Sequence, residues 1–478
     1  MARARITHPI MRGARSSTLL CAGDCRFMAY LCCYCEVTAC TGHHADFEVT
    51  ACTGHHADFK EIGMFTETIL TTAQPTRNIL AALTSALGDY IVYEQGEVTF
   101  IVAQPVWEFT LHGGHDAPWD AVRDAIQGTD YAHDQAIYGW VGFELASGGA
   151  AGQEIAHFLI PGIEIRIAGE NVTIRTSDDV APDVVAQLRS IIELADPYQP
   201  EPPRGANVRA LDQRYLDAVA AAVAEIQAGV LQKVILSRVV DLPFTVNMLD
   251  TYLHGRAANT PARSFLFSLG DWQAAGFSPE TVVEVNSRGE VSTQPLAGTR
   301  ALTGDAVEDE ILRSELLADP KEIFEHAASV KLACEELSMV ADANGPWVSE
   351  FMEIKPRGSV QHLGSRVNCR LADEKNAWDA LAVLFPAITA SGIPKAPAYE
   401  LIKKHETAPR MLYSGAVLRA DSDGSLDAAL VLRTVYQHAG KAWLRAGAGI
   451  VLGSTPAREH EETCEKLSSV APYVVAQD

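Results

Sequence analysis

Hydrophobic positions along the chain change period from segment to segment. Short runs rich in β-branched and aromatic residues, at Tyr90–Tyr93, Val98–Ala103, Ile163–Ile167 and Val172–Arg175, predict strands. Pro118–Gln127 and Pro182–Leu194 predict helices, each opening on a proline whose fixed φ suits a first helical turn. The stretch Pro197–Arg204 then breaks the text, because Pro202–Pro203 cannot continue a helix, and a subdomain boundary is expected there. After it an Ala-rich amphipathic helix, Leu211–Gly229, leads into a strand at Lys233–Val240. Further strands follow at Ser264–Leu269, Thr281–Val285, Leu430–Tyr436 and Trp443–Ala446, with long helical stretches separating the middle of this set from its end. Many β-branched strands with helices between and outside them predict a layered, mixed α/β architecture of the α+β class.

The N-terminus is different in kind. Residues Glu36–Phe47 (EVTACTGHHADF) recur unchanged as Glu48–Phe59, and a single perfect 12-residue copy is too short and too identical for a structural solenoid. It is read as a recent duplication or a gene-model artefact, with Met64 a candidate start. Two sharper readings compete. His43–His44 and His55–His56 lie near cysteines, although their spacing fits no standard zinc pattern. The first 35 residues hold Arg3, Arg5, Arg12, Arg15 and Arg26 against Asp24 alone, the bias of a targeting segment.

Composition narrows the function classes. A chain of 478 residues with 47% hydrophobic and 21% charged residues has a sizeable core, and no apolar run reaches the 18 residues of a membrane span. The formal net charge of −23 repels phosphate backbones and anionic lipid, so neither nucleic acid nor a membrane is an expected partner. A small anionic substrate would need a cation or placed Arg and Lys residues to receive it. Seven of the ten cysteines (Cys21, Cys25, Cys32, Cys33, Cys35, Cys40, Cys52) precede residue 53. Cys334, Cys369 and Cys464 are scattered, the usage of a reducing compartment, and the body of the chain is read as cytoplasmic.

Two segments place carboxylates three residues apart, Glu322 with Glu325 in DPKEIFEH and Glu459 with Glu462 in REHEETCEKL. That spacing puts each pair on one helix face. Should the helices meet, four carboxylates would converge and repel unless a hard cation such as Mg²⁺ lay between them; the bland alternative is two solvated helix faces. Lys233, at the start of an apolar strand, is either a strand-end lysine with its head in water or a general base whose pKa burial lowers. Glu280, after a proline at a strand edge, is either solvated or a proton donor at a cleft rim. Two glycine-containing loops, Pro295–Arg300 and Arg445–Gly449, could bring backbone N–H groups to anionic oxygens. The second is no dinucleotide fingerprint, since its third glycine is misplaced at Gly453. Arg433 sits in apolar strand-like text and needs a partner, either a structural carboxylate or one on a ligand; Tyr413 is the other polar residue so embedded.

In order, the segments KVILSR, GFSPE, PLAGTRAL, DPKEIFEHAASV, GSVQHLGS, FPAITASGIPK, LYSGAV, LRAGAGIV and EETCEKLS run from about Ala210 to Val475. Together they resemble the chorismate-utilising enzymes: anthranilate synthase large subunits, isochorismate synthases and salicylate synthases. The wording is most similar to salicylate synthases that supply siderophore pathways. The resemblance implies a large layered chorismate-binding fold of predominantly antiparallel β-sheets flanked by helices. Residues 205–478 would be its catalytic core, 64–204 its variable N-terminal part and 1–63 an atypical extension.

By motif, the resemblance implies that Lys233 activates a water for attack on C2 of chorismate while Glu280 protonates the departing C4 hydroxyl, giving isochorismate. Isochorismate then loses pyruvate to leave salicylate. Glu325 and Glu462 would ligate Mg²⁺, with Glu322 and Glu459 ligating or acting through water. Arg433 and Tyr413 would receive the enolpyruvyl carboxylate, near Ala446, Gly447 and Lys466. Gly298, Thr299 and Thr389 would line the polar edge of the ring, and His362 would face the site as a third catalytic residue.

Lys233 stands where anthranilate synthases usually carry Gln, which implies water chemistry that needs no glutamine amidotransferase subunit; a monomer is expected. Ala297 stands where aminodeoxychorismate synthases carry the Lys of PIKGT. Gln294 and the LGSTPAREHEE loop depart from the commoner wording without touching a proposed catalytic position. An isochorismate synthase that stops at isochorismate shares the base, acid and metal residues, and an inactive chorismate-binding scaffold is the alternative of another class.

Overall fold

Two long strands organise the chain. The computed structural model describes residues 65–129 and 135–477, so the tandem repeat, its His and Cys residues, the Arg-rich start and Met64 lie outside the described residues. Val98–His112 pairs with Glu154–Ala168 over nearly its whole length, with a register shift between Pro105 and Trp107. There Gln104 takes a left-handed φ of 49°, and Pro105 has no N–H to give to a ladder. The shift bends the pair, and the two ends of each strand serve different sheets.

The first sheet continues on one side through Asn171–Ser177 to Phe65–Thr71. On the other side it runs through Tyr90–Gln95, Arg263–Leu269, Trp272–Ser278, Thr434–His438, Lys441–Ile450 and Lys233–Leu242 to Gly392–Ile393. From Glu154–Ala168 the second sheet runs through Ala136–Val141, Ala416–Asp421, Leu426–Leu430, Thr281–Val285 and Glu290–Thr293 to Val360–Arg370. That last strand also pairs with Leu296–Ala301 and Trp347–Arg357. All these ladders are antiparallel.

Successive side chains on a strand face opposite ways, and here both faces are dry. Ile91, Tyr93, Phe100 and Phe265 of the first sheet pack with Tyr138, Trp140, Val417 and Ala429 of the second. Their neighbours Tyr90, Val92 and Ile101 face outward onto helices Thr76–Ala86, Val184–Glu193 and Met248–Ala258. Ile137, Val141 and Ala428 face outward onto Pro118–Gln127, Pro320–Leu337 and Ala377–Leu384. The result is a helix–sheet–sheet–helix stack, the α+β architecture expected, with antiparallel sheets flanked by helices.

Pro118–Gln127 and Thr281–Val285 form as expected from the sequence. Leu211–Gly229 shortens to Gln213–Gln227, started by the Asp212 side chain accepting from Tyr215 N. Pro182–Leu194 shortens to Val184–Glu193. The expected strand Leu430–Tyr436 is two strands: the chain leaves the second sheet at Leu430 and enters the first at Thr434, turning through Arg433 at φ 51°. The two glycine-containing loops are also strand, Leu296–Ala301 and the inner part of Lys441–Ile450. Segments before and after Pro197–Arg204 share both sheets, Tyr90–Gln95 pairing with Arg263–Leu269 and Ala136–Val141 with Ala416–Asp421.

One buried ionic group ties the end of the first sheet together. Glu406 caps helix Lys395–His405 and accepts from Arg410 (2.6 and 2.9 Å), from Arg445 (2.5 Å) and from the Ser237 N–H and Oγ (both 2.8 Å). Burial pushes its carboxyl up, but Arg410 and Arg445 outweigh burial and hold it below the usual carboxylate range. Replacing Glu406 with Gln leaves two buried guanidiniums without a counter-charge and is expected to cost about 3–5 kcal/mol in chemical denaturation. Replacing Arg189, whose pair with Glu193 at 2.8 Å is largely exposed, is expected to cost under about 0.5 kcal/mol.

Candidate active site

The site forms where two segments step from one sheet to the other. Pro279 and Glu280 join Trp272–Ser278 of the first sheet to Thr281–Val285 of the second, and residues 431–433 return from Leu426–Leu430 to Thr434–His438. The steps lie side by side: Leu430 N donates to Glu280 O and Phe277 N to Arg433 O, both at 3.2 Å, and Ser278 Oγ donates to Leu430 O at 2.6 Å. Glu280 and Arg433 thereby line one cleft that is partly open to solvent.

Most of the residues singled out in the sequence line the same cleft. Gly298 and Thr299 lie on strand Leu296–Ala301, and His362 is the cross-strand partner of Thr299. Glu322 and Glu325 occupy the first turns of helix Pro320–Leu337, and Thr389 lies in the short turn Ile388–Ala390. Tyr413 precedes strand Ala416–Asp421, Ala446 and Gly447 lie on Lys441–Ile450, and Glu462 and Lys466 lie on helix Pro456–Leu467. Lys233 and Glu459 stand behind the wall. Lys233 is 2% exposed, its Nζ 2.8 Å from Glu325 Oε1 but not aligned for a hydrogen bond. Glu459 is fully buried, with Oε1 3.2 Å from Lys321 Nζ and Oε2 without a hydrogen-bond partner among the described residues.

Close approach explains the glycines. A Cβ on Gly449 would stand 2.6 Å from Glu325 Oε1, and one on Gly447 would stand 2.7 Å from Leu236 O and 2.9 Å from the Tyr413 hydroxyl. Gly298 adopts φ +86°, which a side chain would strain. Their backbone is committed to the sheet, as Gly447 pairs with Ser237 and Gly449 with Ile235, so small size is what these positions supply.

Each of the four carboxylates has a cation beside it, although Arg300 also pairs with Asp319 at 2.6 Å. Glu322 pairs with Arg300 (3.3 Å), Glu325 with Lys233 (2.8 Å), Glu459 with Lys321 (3.2 Å) and Glu462 with Lys466 (2.7 Å). Mutual repulsion persists. Burial and then Glu325 raise the Glu322 carboxyl, and burial and then Glu462 raise Glu459 to about 7. Burial also works against the Glu462 carboxylate, but Lys466 outweighs it and holds the group below the usual range. No three His, Cys, Asp or Glu side chains among the described residues stand close enough to form a ready-made metal cage. The donor set nonetheless fits Mg²⁺: all are hard oxygens, one of them is orphaned, and this ion commonly uses one or two carboxylates and completes its shell with water and substrate oxygens.

Glu280 and Arg433 differ from the other charged residues lining the cleft in having no ion pair among the described residues. Burial raises the Glu280 carboxyl to about 7, against the Thr389 hydroxyl and the Leu296 N–H (3.2 Å) that hydrogen-bond it. Arg433 donates to Arg357 O and to His362 Nε2, both at 2.8 Å, and burial followed by the Arg357 charge lowers its pKa to about 10, still a cation at neutral pH. A guanidinium only donates, so His362 Nε2 accepts and Nδ1, 3.0 Å from Thr299 Oγ1, carries the ring proton. Burial and then Arg433 hold that imidazole well below its usual range. In this geometry the neutral His362 orients Arg433. Tyr413 lies between the guanidiniums of Arg410 and Arg445, at 5.6 and 5.4 Å from ring centre.

Arg300, Lys321 and Arg357 were not singled out in the sequence, although the first two sit inside motifs that were: Arg300 closes PLAGTR and Lys321 lies within DPKEIF. A cation adjacent to a carboxylate cluster was the available signal.

Comparison with known proteins places the chain in a family. The chorismate binding enzyme family matches residues 88–472. A salicylate synthase of Mycolicibacterium paratuberculosis is 44% identical over 373 residues, 75% of this chain and 80% of that protein. An anthranilate synthase component 1 of Streptomyces coelicolor is 38% identical over 264 residues, 55% of this chain and 52% of that one. Among solved structures, the menaquinone-specific isochorismate synthase of Escherichia coli superposes with a TM-score of 0.70 at 22% identity, covering 87% of this chain and 96% of that one. Anthranilate synthase component I of Streptococcus pneumoniae gives 0.65 at 24%, covering 88% and 96%. At such identities the structures speak for the fold, while the sequence matches carry the assignment: the chain belongs to the chorismate-binding enzyme family.

Proposed function

We propose that this enzyme converts chorismate to isochorismate and then to salicylate and pyruvate in a Mg²⁺-dependent reaction, as a monomer without an amidotransferase partner. One observation carries the reading: a buried carboxyl held near neutral pKa and a buried guanidinium with no carboxylate of its own line one cleft. The salicylate synthase relative, 44% identical, favours the second step.

Glu280, protonated at and below about pH 7, gives its proton to the departing C4 hydroxyl, which leaves as water. Lys233, once it has lost its own proton and is neutral, takes a proton from the water that attacks C2, and both ring double bonds shift as the C4–O bond breaks. Lys233 reaches the cleft only past Glu325, so that carboxylate turns away from it first. Mg²⁺, held by Glu322, Glu325 and Glu462 with Glu459 behind them, would supply the positive charge that receives the ring carboxylate. Arg433, oriented by His362, and Tyr413 grip the enolpyruvyl carboxylate. In the second step a hydrogen passes from C2 to the enolpyruvyl methylene while the C–O bond breaks, so the chain contributes orientation and not proton transfer.

The direct test incubates purified protein with chorismate and either Mg²⁺ or EDTA, following salicylate fluorescence and pyruvate release. Both products are expected together, with Mg²⁺ only. Isochorismate accumulating without pyruvate would show a one-step isomerase, and unconsumed chorismate would overturn the enzyme reading. Because every carboxylate in the wall already lies beside a cation of the chain, EDTA is expected to abolish turnover while leaving the unfolding midpoint nearly unchanged.

Replacing Glu280 with Gln is expected to lower chorismate consumption by about 10²–10⁴-fold. In the native enzyme the rate should fall as pH rises through about 7 and Glu280 loses its proton. The same raised pKa makes the folded chain bind this proton more tightly than the unfolded chain. Its stabilising contribution is full below the ordinary value of 4.5 and is lost as pH rises toward about 7, so unfolding of the Gln variant should depend less on pH across that window. Identical pH profiles for the two proteins would contradict the assignment.

A further inference from the structure

A second, smaller cavity shares Glu280 and Thr389 with the cleft, and its other polar lining residues are Thr293 and Glu336, the latter on the far part of helix Pro320–Leu337. Its remaining walls are largely apolar, including Val282, Ala333, Leu384 and Ile388. It offers ≈ 10 Å³ to the centre of a water molecule, about the room one water requires. Glu336, 7% exposed, pairs through Oε1 with Lys395 Nζ at 2.5 Å, and Lys395 also donates to Leu384 O at 3.1 Å. Lys395 closes the FPAITASGIPK segment, whose lysine the proposed reaction leaves without a task, and its side chain keeps 15% of its surface in solvent.

We propose that Glu336, with Lys395 behind it, is a proton-relay residue that reloads Glu280 through one water held in this cavity. The inference rests on Glu280 being the acid of the first step. After giving its proton to the leaving hydroxyl, Glu280 is a carboxylate in a cleft covered by product. The cavity water gives one proton to Glu280 and takes one from the Glu336 carboxyl. Glu336 regains a proton from the Lys395 ammonium, and Lys395 from solvent, so no co-reactant beyond water is needed. Burial raises both carboxyls to about 7, and Lys395 opposes burial at Glu336 as the Thr389 hydroxyl does at Glu280. The other titratable groups facing Glu336 are Glu335 on its own helix and Tyr399 on the helix of Lys395. A purely structural ion pair would need no adjoining polar cavity, and apolar side chains of similar volume would fill the space at least as stably.

The test compares chorismate consumption by the whole chain with Mg²⁺ in H₂O and D₂O for the native enzyme and the Glu280→Gln, Glu336→Gln, Glu336→Asp and Lys395→Met variants, each with its unfolding midpoint. For Glu336→Gln the expected result is a KM within about twofold of native and a kcat about tenfold lower, with a larger solvent isotope effect as reloading becomes limiting. Glu336→Asp, which can still reach a water, should recover most of the rate, and Lys395→Met should shift in the direction of Glu336→Gln. A native kcat and isotope effect in Glu336→Gln, beside an inactive Glu280→Gln, would overturn the relay and leave the acid in place. An active Glu280→Gln would overturn both. A slower Glu336→Gln with an unchanged isotope effect and no recovery in Asp would assign the pair a structural role. If Glu336→Gln does not fold, an unchanged kcat and isotope effect in Lys395→Met would overturn the relay.

Discussion

A charge withdrawn from water is tolerable only beside its opposite, and the end of this molecule that carries the cleft is built on that constraint. Glu406 is wholly enclosed between Arg410 and Arg445 and joins a helix to strands Lys233–Leu242 and Lys441–Ile450. The same rule recurs in the wall, where four carboxylates, each beside a cation, are held together despite repelling one another. Against this background the exceptions are informative. Glu280 and Arg433 line the cleft without an ion pair, and their counter-charges are best supplied by something that enters: a proton for one and an anion for the other.

The fold places these exceptions together. A sandwich of two sheets buries both faces of nearly every strand, so a polar side chain finds room where the chain passes between the sheets. Two such passages run side by side, one carrying Glu280 and the other Arg433, and their backbones are joined by hydrogen bonds. Arg433 takes a left-handed backbone conformation there, which a non-glycine residue adopts at some cost and which the neighbouring ladders enforce. Helices Pro320–Leu337 and Pro456–Leu467 then bring the carboxylates to the opposing wall.

Local spacing made part of this legible in the sequence. Glu322 and Glu325 three apart share a helix face wherever that helix lies, and Arg433 in apolar text had to be either paired or functional. The ordered motifs pointed to the family. What local pattern does not record is which sheet a strand joins. Leu430–Tyr436 reads as one strand because both halves are apolar, although the chain changes sheets in the middle. Val98–His112 was visible only up to Ala103 because Pro105 interrupts the ladder while the strand bends and continues. The glycines at 447 and 449 resemble a loop, yet they are strand residues kept small by Tyr413 and Glu325. Lys233 reads as a cleft residue but stands behind Glu325, a relation between positions 92 apart that no window captures. Glu336 gave no signal for the same reason, and Lys395 only as the end of the quoted FPAITASGIPK segment.

Most rests on the proposed role of Arg433, a cleft guanidinium without an ion pair among the described residues, in receiving a carboxylate of the substrate. Calorimetric titration of chorismate, with Mg²⁺ present, into Glu280→Gln protein and into the same protein carrying Arg433→Met separates binding from turnover. Losing Arg433 is expected to weaken chorismate binding by about 100-fold or more while the fold stays intact. Equal affinities would mean that the guanidinium does not receive the substrate, and the reading of the cleft built on it would be wrong.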